Sequence, residues 1–472
     1  MNKTKMIATI GPASGSKEVI REMILNGVDV VRINMSHSDF EYAKETILNV
    51  REIDRELSTQ TGIMIDTRGP EIRTGILEKE IIKLEKGKTI RITKNDIVGN
   101  SNIITTSFPD LGKHCKIGEK LLINDGSVEL VVVSKDLDEL VCTVNNDGVI
   151  KSNCSINIPD ADFTIKFLSE YDKQTIKFAI SMQADYLALS HVKNQLDILD
   201  VNDLLIELND DRIQIISKIE NKTAIDEIKG ILKVSDGVMV ARGDLGVEID
   251  IEKIPSIQKR IANEAKNAEK ICVIATEMLS TMQENPRPTR AEVSDVANAV
   301  LDGTDAVMLS SETAIGKYPI ETVKTMNKII DEIENEINYN DLLLEYDRKD
   351  KLDISMAIAY STVDSANRVK ADAIVCSTLS GNTAKKISHY RPGAPVIAIS
   401  PDEKTIRGLS INYGIIPVKV PMVESTDEIV KISVETAKKI FDLETGKKIV
   451  IAGSFPLQTV DYTNFMKIEE IK

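Results

Sequence analysis

The sequence lacks an excess of positive charge, closely spaced cysteines and any long apolar run, and each absence excludes a class of protein. Its 472 residues carry 59 basic and 74 acidic side chains, a net charge of −15. A general nucleic-acid binder is excluded, because such proteins need surplus cations to replace phosphate counterions. The five cysteines are scattered without metal-ligand spacing, which predicts reduced thiols in a cytoplasmic protein.

Segments for membrane insertion or export are also missing. No stretch approaches the roughly 18 apolar residues of a membrane-spanning helix, and Met1–Ile10 lacks the apolar core of a secretion signal. We therefore expect a soluble protein with no membrane partner. None of the four histidines pairs in sequence with a plausible nucleophile, so no imidazole general base is expected. The 42% apolar content excludes global disorder.

What the sequence does contain is a short β-branched run that recurs eight times and is usually followed by helical spacing. This alternation predicts a (β/α)8 barrel, an α/β fold whose chemistry sits where the strands end. The runs are Thr4–Ile10, Val28–Met35, Gly62–Asp66, Ala184–Ser190, Ile213–Glu220, Gly237–Ala241, Ile271–Thr276 and Asp305–Ser311.

The alternation is interrupted after the third run. The pattern there changes to period two with turns such as Asn124-Asp125-Gly126 and Asn146-Asp147-Gly148, which predicts an inserted all-β lid domain over the barrel mouth. Acidic residues from Asp331 to Lys351 predict a helix plus linker before a third, α/β domain. The predicted division is a barrel at 1–70 and 165–345, the lid at 71–164 and a C-terminal regulatory or oligomerisation domain at 346–472.

The C-terminal domain has its own strand-helix alternation. Its strands are expected at Ala373–Cys376, Pro395–Ile399, Ile415–Val420 and Lys448–Ala452.

Two charged residues close the fifth run. Lys218 and Glu220 point the same way on a strand, and aimed inward they are costly to bury without a task. The alternative is an exposed salt bridge. Gly243 and Asp244 end the next run, so Asp244 supplies a second carboxylate and the glycine a close backbone approach. Two carboxylates suit Mg²⁺ or Mn²⁺ better than zinc.

The second and third runs end in a different set of polar groups. Arg32 can fork onto a phosphate, whereas Asn34, Ser36, Asp66 and Thr67 offer neutral oxygens and one carboxylate, a set that suits a large monovalent cation. Polar caps of strand ends are the alternative.

Hydroxyl residues end the last two barrel runs, and others precede a predicted helix of the C-terminal domain. Thr276 and Ser310 close the seventh and eighth runs, where helix capping is the alternative role. A loop before a predicted C-terminal helix offers a phosphate site, and plain capping explains it equally well. Its residues are Ser377, Thr378, Ser380, Gly381, Asn382 and Thr383.

Over essentially its whole length the chain resembles the pyruvate kinase family. The motifs that carry the resemblance are Arg32–His37, Asp66–Gly75, Ser217–Asn221, Ala241–Gly246, Ala275–Leu279 and Asn285–Glu292. The resemblance implies phosphoryl transfer from phosphoenolpyruvate to ADP, which yields ATP and pyruvate in glycolysis. It also implies a homotetramer and a phosphorylated allosteric effector at the Ser377–Thr383 loop.

The resemblance also implies residue roles. Glu220 and Asp244 would hold Mg²⁺, and Lys218 with Arg32 would stabilise the transferring phosphoryl group. The substrate would also meet Gly243 and Thr276, with Ser310 in a proton relay. The residues implied for K⁺ are Asn34, Ser36, Asp66 and Thr67, with Glu71 linked to K⁺ dependence. Those implied for the nucleotide are Arg73, Asn34 and His37.

Three departures from the family pattern and two rival functions remain. Arg68 stands where lysine is common and His191 where an aromatic residue is common, and Lys222-Thr223-Ala224 replaces a more usual acidic-Gly continuation after Asn221. One rival is a Mg²⁺-dependent barrel lyase or aldolase that acts on a 2-oxo acid through an enolate. The other is a catalytically silent metabolite-sensing subunit, which would have lost Lys218 or a metal carboxylate.

Overall fold

The computed structural model describes residues 2–159, 166–346, 352–455 and 462–472. Eight parallel strands close into a barrel, and each predicted run contains one of them, which confirms the barrel. Numbered along the chain, they are β1 (Lys5–Thr9), β2 (Val30–Asn34), β3 (Gly62–Asp66), β12 (Tyr186–Leu189), β13 (Gln214–Ile219), β14 (Gly237–Ala241), β15 (Ile271–Ala275) and β16 (Ala306–Leu309).

Helices surround the barrel and bury a continuous apolar layer against its outer face. The helices up to the end of the barrel are α1 (Lys17–Leu25), α2 (Phe40–Leu57), α3 (Leu111–His114), α4 (Glu170–Ser181), α5 (Gln195–Glu207), α6 (Lys222–Asp226), α7 (Ile228–Val234), α8 (Arg242–Glu248), α9 (Ile254–Asn267), α10 (Arg290–Leu301), α11 (Ser311–Ala314) and α12 (Pro319–Glu336). Within the described residues, no helix combines the length and apolar character needed to cross a bilayer.

The inserted unit is built of strands around its own apolar core, with α3 as one helical turn. Its strands are β4 (Ile81–Leu84), β5 (Thr89–Thr93), β6 (Ile103–Thr105), β7 (Lys120–Ile123), β8 (Val128–Lys135), β9 (Glu139–Val144), β10 (Gly148–Lys151) and β11 (Ile156–Asn157). The Asn124–Gly126 turn joins the β7–β8 hairpin as predicted. The Asn146–Gly148 turn does not form a hairpin, because β10 leaves β9 and pairs with β4 instead.

The C-terminal unit is a five-stranded sheet in the order β19-β18-β17-β20-β21, with apolar clusters on both faces. Four strands match the prediction and the antiparallel edge strand β21 was missed. The elements are α13 (Tyr339–Leu344), α14 (Ile354–Val369), β17 (Ala373–Ser377), α15 (Asn382–His389), β18 (Val396–Ser400), α16 (Glu403–Arg407), β19 (Ile415–Lys419), α17 (Thr426–Phe441), β20 (Lys448–Gly453) and β21 (Phe465–Glu470).

The prediction of a helix plus linker over Asp331–Lys351 is confirmed in its helical part, which two helices share. Residues 331–336 are the last turns of α12, which begins at Pro319, and the short helix α13 follows. Residues 347–351 lie outside the described residues, as does the predicted crossing at 164–165. The exact division into domains stays a prediction.

Four aspartates form a ring at the floor of the barrel. Each directly precedes every second strand: Asp29 before β2, Asp185 before β12, Asp236 before β14 and Asp305 before β16. The peptide N–H of each donates to the carbonyl of one residue on the preceding strand, and its carboxylate accepts the N–H of that same residue, at 2.8 to 2.9 Å. The partners are Met6, Ile63, Ile215 and Cys272. The ring therefore ties neighbouring strands together where the barrel begins.

Cations face the second carboxylate oxygen of ring members, and most of them come from the C-terminal unit. Arg407 Nε lies 3.2 Å from Asp185 Oδ1, and Arg391 Nη1 lies 2.7 Å from Asp305 Oδ1. Lys5 contacts Asp29, and Lys385 is within electrostatic reach of Asp236. The C-terminal unit is thus bound to the barrel floor through buried charges.

An apolar contact completes this floor. Ile411 from the C-terminal unit is fully buried in the cluster that fills the barrel interior, together with side chains such as Met64 and Met308. The hydroxyl of Tyr186 in that cluster accepts the N–H of Ile411 at 3.2 Å and donates to the carbonyl of Arg407 at 3.3 Å. The barrel interior is therefore closed from below by a residue from outside the barrel.

Candidate active site

A chain of buried charges lies at the carboxyl end of β13. Lys218 Nζ is 2.8 Å from Glu220 Oε1, as the alternation of strand side chains predicts, and it donates to the hydroxyl of Ser190 at 2.7 Å. Its other acidic neighbour is Asp66, at 3.4 Å. Burial alone would lower the pKa of Lys218, but Asp66 and Glu220 outweigh it and raise the pKa above its usual range. Lys218 therefore keeps its positive charge inside the barrel mouth.

Asp66 is the counter-ion for the cations of β2 and β13. Its carboxylate receives Arg32 Nε at 2.7 Å on one oxygen and the Ser190 hydroxyl at 2.9 Å on the other. Burial would raise the pKa of Asp66, but Arg32 and Lys218 hold it below its usual range. Arg32 also donates to Thr9 at 2.9 Å. The two cations are thereby fixed side by side in a mostly buried setting.

Asp244 and Glu220 form the predicted pair of carboxylates, both lining the same cavity. Burial, and then the negative charge of Glu220, raises the pKa of Asp244 to about 6. Two carboxylates held together away from water repel each other, and a bound cation removes that repulsion. The donor set therefore fits a cation.

The number of ligands indicates which cation fits. Among the described residues, no group of three or more histidine, cysteine, aspartate and glutamate side chains is placed to hold a metal ion. A cation held here would have two protein carboxylates and would fill its other positions with water and substrate oxygens. Mg²⁺ commonly binds in this way, whereas structural zinc takes four protein ligands.

The loop after β15 is held in an unusual conformation. Thr276 and Glu277 both have positive φ, 66° and 55°, a region that costs free energy for residues other than glycine and occurs often at functional sites. Arg242 donates to the carbonyl of Thr276 at 2.7 Å and pairs with Asp295 at 2.7 Å. The hydroxyl of Thr276 accepts the N–H of Gly243 at 2.8 Å. Thr276 is therefore fixed at the cavity wall.

Ser310 lies at the end of the last barrel strand, which is the neighbour of the strand that ends before Thr276. It lines the cavity, and its N–H donates to Glu312 Oε2 at 2.8 Å. Its neighbour Ser311 accepts from the side chain of Gln283 at 2.8 Å. Ser310, the residue predicted for a proton relay, therefore lines the same cavity as Thr276, and the relay itself stays a prediction.

The residues predicted for a monovalent cation lie on adjacent strands. Asn34 and Asp66 are register partners on β2 and β3, and Asn34 Oδ1 accepts the N–H of Ser36 at 3.0 Å. Asn34 and Ser36 line the cavity, whereas Asp66 and Thr67 lie behind it, 0% and 2% exposed. Arg32, Ser190 and Lys218 already occupy the Asp66 carboxylate. The neutral oxygens are brought together, and the K⁺ site stays a prediction.

The predicted nucleotide residues line one cavity, with Asn34 and His37 at the end of β2 and Arg73 where the chain leaves the barrel after β3. Arg73 donates to Glu71 Oε2 at 2.8 Å and to the carbonyl of Asn153 at 2.8 Å. Burial, and then the charge of Arg73, lowers the pKa of His37. Gly69 has φ 72°, and a Cβ there would lie 2.6 Å from the Ser190 carbonyl oxygen. Only glycine therefore fits at position 69, where the chain leaves the barrel close to the backbone of Ser190.

The inserted unit closes one side of the mouth. Asn157 Nδ2 donates to Glu248 Oε1 on α8 at 3.2 Å, and Lys151, Asn153 and Cys154 line the cavity together with the barrel residues. The cavity measures about 930 Å³, which is within the range of small-molecule sites. It is large enough for two substrates side by side.

The predicted effector loop lies elsewhere, at the start of α15. The helix is capped by Gly381, with φ 88° and no capping side chain, so side-chain capping at that position is not the reason for the loop. Thr378 Oγ1 accepts the N–H of Gly381 at 2.9 Å, and the Thr383 hydroxyl bonds that of Thr463 at 2.7 Å. Ser377, Ser380 and Asn382 complete the loop. Effector binding there stays a prediction.

Three residues of the site were not singled out from the sequence. Ser190 bridges Lys218 and Asp66, Arg242 holds Thr276, and His191 contacts Glu220. Ser190 and Arg242 stand at strand ends, which was a readable signal, but hydroxyls and arginines are common there as caps and surface groups. For His191, only its place after a barrel strand pointed to the mouth.

Comparison with known proteins gives a consistent result over the whole chain. A family model described as "Pyruvate kinase, barrel domain" matches residues 1–323, and one described as "Pyruvate kinase, alpha/beta domain" matches residues 356–469. A protein from Clostridium acetobutylicum named "Pyruvate kinase" is 40% identical over 473 residues, covering 100% of both chains. A protein of the same name from Clostridium perfringens is 41% identical over 100% of both chains. Another from Geobacillus stearothermophilus is 39% identical over 99% of this chain and 80% of the relative.

Proposed function

The chain belongs to the pyruvate kinase family, and on that basis we propose how its barrel mouth transfers the phosphoryl group of phosphoenolpyruvate to ADP, giving ATP and pyruvate. The observation that carries the proposal is the buried set of Lys218, Arg32 and two carboxylates on one cavity. The lyase or aldolase alternative is not favoured, since both family models cover the chain and the inserted unit adds Arg73 to the cavity.

Phosphoryl transfer needs positioning and positive charge more than covalent chemistry. The ammonium of Lys218 neutralises charge on the phosphoryl group, held in place by Asp66 and Ser190. Arg32 contributes a second fixed cation beside it. Glu220 and Asp244 hold Mg²⁺ or Mn²⁺, which when bound supplies further positive charge to the transferring group. Because these groups are preorganised and mostly buried, they stabilise the transition state without reorganisation.

The product of transfer is an enolate that takes up a proton on carbon. Thr276 and Ser310, at the ends of the adjacent strands β15 and β16, both line the cavity. The Thr276 hydroxyl donates to the carbonyl of Ala275 at 2.6 Å and accepts from the N–H of Gly243. These two hydrogen bonds fix the hydroxyl at the cavity wall, where it orients the enolate. Ser310 belongs to the proposed relay that delivers the proton. Closure of the inserted unit keeps water from the enolate.

The nucleotide occupies the side of the cavity nearer the inserted unit. Arg73 there contacts the phosphates of ADP, with Asn34 and His37 completing the subsite. Asn34, Ser36, Asp66 and Thr67 hold K⁺. The Glu71–Arg73 ion pair, with N–O distances of 2.7 and 2.8 Å, sets the charge between these two regions.

One assay tests the proposed function. We expect pyruvate to be released from phosphoenolpyruvate only when ADP and Mg²⁺ are both present, with K⁺ raising the rate. Lactate dehydrogenase and NADH report the pyruvate, and luciferase reports ATP in the same samples. Pyruvate formation without ADP, or from a 2-oxo-acid adduct instead, would refute the kinase and favour the lyase.

Reversing the charge of Glu71 should reduce the dependence on K⁺. In Glu71→Lys an ammonium group supplies the positive charge that K⁺ otherwise adds, so we expect at least about one tenth of wild-type kcat without K⁺ and little activation by it. Rates measured with K⁺ and with tetramethylammonium as the replacing cation give the ratio. Glu78→Lys, a change in the inserted unit outside the cavity lining, is the control. An unchanged potassium response in Glu71→Lys would remove Glu71 from the K⁺ assignment.

Two further properties are proposed from family membership. The protein forms a homotetramer, and a phosphorylated effector binds at the Ser377–Thr383 loop. The loop is suited to an anion because α15 begins there with a glycine at its cap. Lys385 on the same helix is hydrogen-bonded to Gln214 at the base of β13 at 2.8 Å. This contact connects the loop physically to the strand that carries Lys218.

A further inference from the structure

The mouth contains an imidazole to which the proposed transfer gives no role. His191 follows β12 and lines the cavity, with 23% of its side chain exposed. Its φ is 58°, a left-handed conformation in which histidine, asparagine and aspartate are enriched among non-glycine residues. The backbone at this position is therefore bent toward a specific partner.

That partner is one oxygen of Glu220. The peptide N–H of His191 donates to Glu220 Oε2 at 2.6 Å, and the ring Nδ1 lies 3.3 Å from the same oxygen. The other oxygen, Oε1, lies 2.8 Å from Lys218 Nζ. The Glu220 side chain is 1% exposed, so these two residues fix a carboxylate that water barely reaches.

We propose that His191 is a positioning residue that orients Glu220 and so determines how tightly the protein holds its divalent cation. The inference rests on the proposed function, in which Glu220 and Asp244 hold that cation. A carboxylate has about four lone-pair sites. The two contacts with His191 occupy Oε2, and Lys218 takes one site of Oε1, so the remaining lone pair of Oε1 points in a defined direction toward the cation. Outer partners of a ligand typically contribute about 10–100-fold to metal affinity.

The side-chain share of this contact can be separated from the backbone share. Any substitution keeps the N–H donor, whereas only some keep a nitrogen near Nδ1. His191→Phe keeps a ring and removes both nitrogens. His191→Asn places an amide nitrogen near the position of Nδ1 and tolerates the left-handed backbone. His191→Gln carries its amide one bond further out, nearer the position of Nε2.

The test is Mn²⁺ binding to the full-length protein without substrates, measured from the electron paramagnetic resonance signal of free Mn²⁺. We expect about tenfold weaker binding in His191→Phe and His191→Gln, and binding within about twofold of wild type in His191→Asn. In the assay, the concentration of Mg²⁺ for half-maximal rate should rise in parallel, while kcat at saturating Mg²⁺ stays within about threefold, since Lys218 is untouched.

Two controls separate failure of this inference from failure of the proposed function. Glu220→Gln must weaken Mn²⁺ binding more than any His191 variant; if it does not, the metal site is elsewhere and both ideas fail. His114→Phe changes an exposed histidine of the inserted unit outside the cavity lining and should bind Mn²⁺ as wild type does.

The remaining outcomes decide the inference alone. If Glu220→Gln weakens binding but His191→Phe does not, His191 does not position the carboxylate. If His191→Asn binds no better than His191→Gln, the site near Nδ1 has no special role and the inference is overturned. An equal loss in His114→Phe would show a nonlocal effect and would overturn it too.

Discussion

Lys218→Met is expected to lower kcat for pyruvate formation by about 10³-fold or more. The ammonium of Lys218 meets charge that grows on the phosphoryl group in the transition state, and removing one such fixed charge typically costs 10²- to 10⁵-fold. Because the lost interaction belongs to the transition state, kcat and kcat/KM should fall together. Steady-state kinetics with saturating ADP, Mg²⁺ and K⁺ give both values.

The same variant should remain folded. Methionine fills a similar volume, Asp66 keeps Arg32 and Ser190 as partners, and Glu220 keeps the N–H of His191. Circular dichroism and the thermal midpoint check this. Lys229→Met, at a lysine with 77% of its side chain exposed, is the matched control and should keep wild-type rates. A Lys218→Met protein with more than about a tenth of wild-type kcat would contradict the assigned role.

Asp185→Ala is expected to lower the free energy of unfolding by about 3–5 kcal/mol, because it removes a buried counter-ion. Arg407 then keeps the half-exposed Glu403, and Arg51 keeps Asp54 at 3.5 Å. The Asp185 side chain is 0% exposed and joins Arg407 of the C-terminal unit to Arg51 on α2. It also accepts the N–H of Ile63 at 2.8 Å, which loses its acceptor. Urea unfolding followed by circular dichroism, together with thermal scans, measures the loss.

A second aspartate of the same local design serves as the control. Asp372 directly precedes β17 and accepts the N–H of Lys448 at 3.0 Å, but its side chain is 24% exposed and its partner Lys447 is half exposed. Asp372→Ala should therefore cost about 1 kcal/mol. Equal losses in the two variants would mean that burial of the ring has no effect on stability. If the barrel and the C-terminal unit unfold in separate transitions, each transition of a variant is compared with the same transition of the wild type.

The barrel and the position of Lys218 beside Glu220 could be predicted because both depend on local rules. Buried parallel strands read as β-branched runs, and strand alternation placed Lys218 and Glu220 on one face. The edge strand β21 was missed because Phe465–Glu470 has charged residues and no β-branched run. The Asn146–Gly148 turn showed the right turn chemistry, but turn residues do not specify which strand pairs next.

Features that depend on distant partners could not be predicted. The four ring aspartates stand at irregular spacing along the chain, since the inserted unit separates Asp29 from Asp185, and each reads alone as a polar residue before a strand. The acidic residues after Asp331 looked like a linker, although they form the last turns of α12 and one of them, Glu334, is buried against the N–H groups of Lys3 and Thr4. Contacts such as that of His191 with Glu220 arise only when neighbouring strands are aligned.

Ile411, which closes the base of the barrel near Tyr186, determines whether the barrel can be prepared without the C-terminal unit. Truncation before the C-terminal unit would expose the apolar side chains at the base of the barrel to water. It would also remove both hydrogen-bond partners of the Tyr186 hydroxyl. We therefore expect that removal of the C-terminal unit would destabilise the barrel and would not yield a minimal catalyst. The barrel interior is complete only when Ile411 of the C-terminal unit is in place.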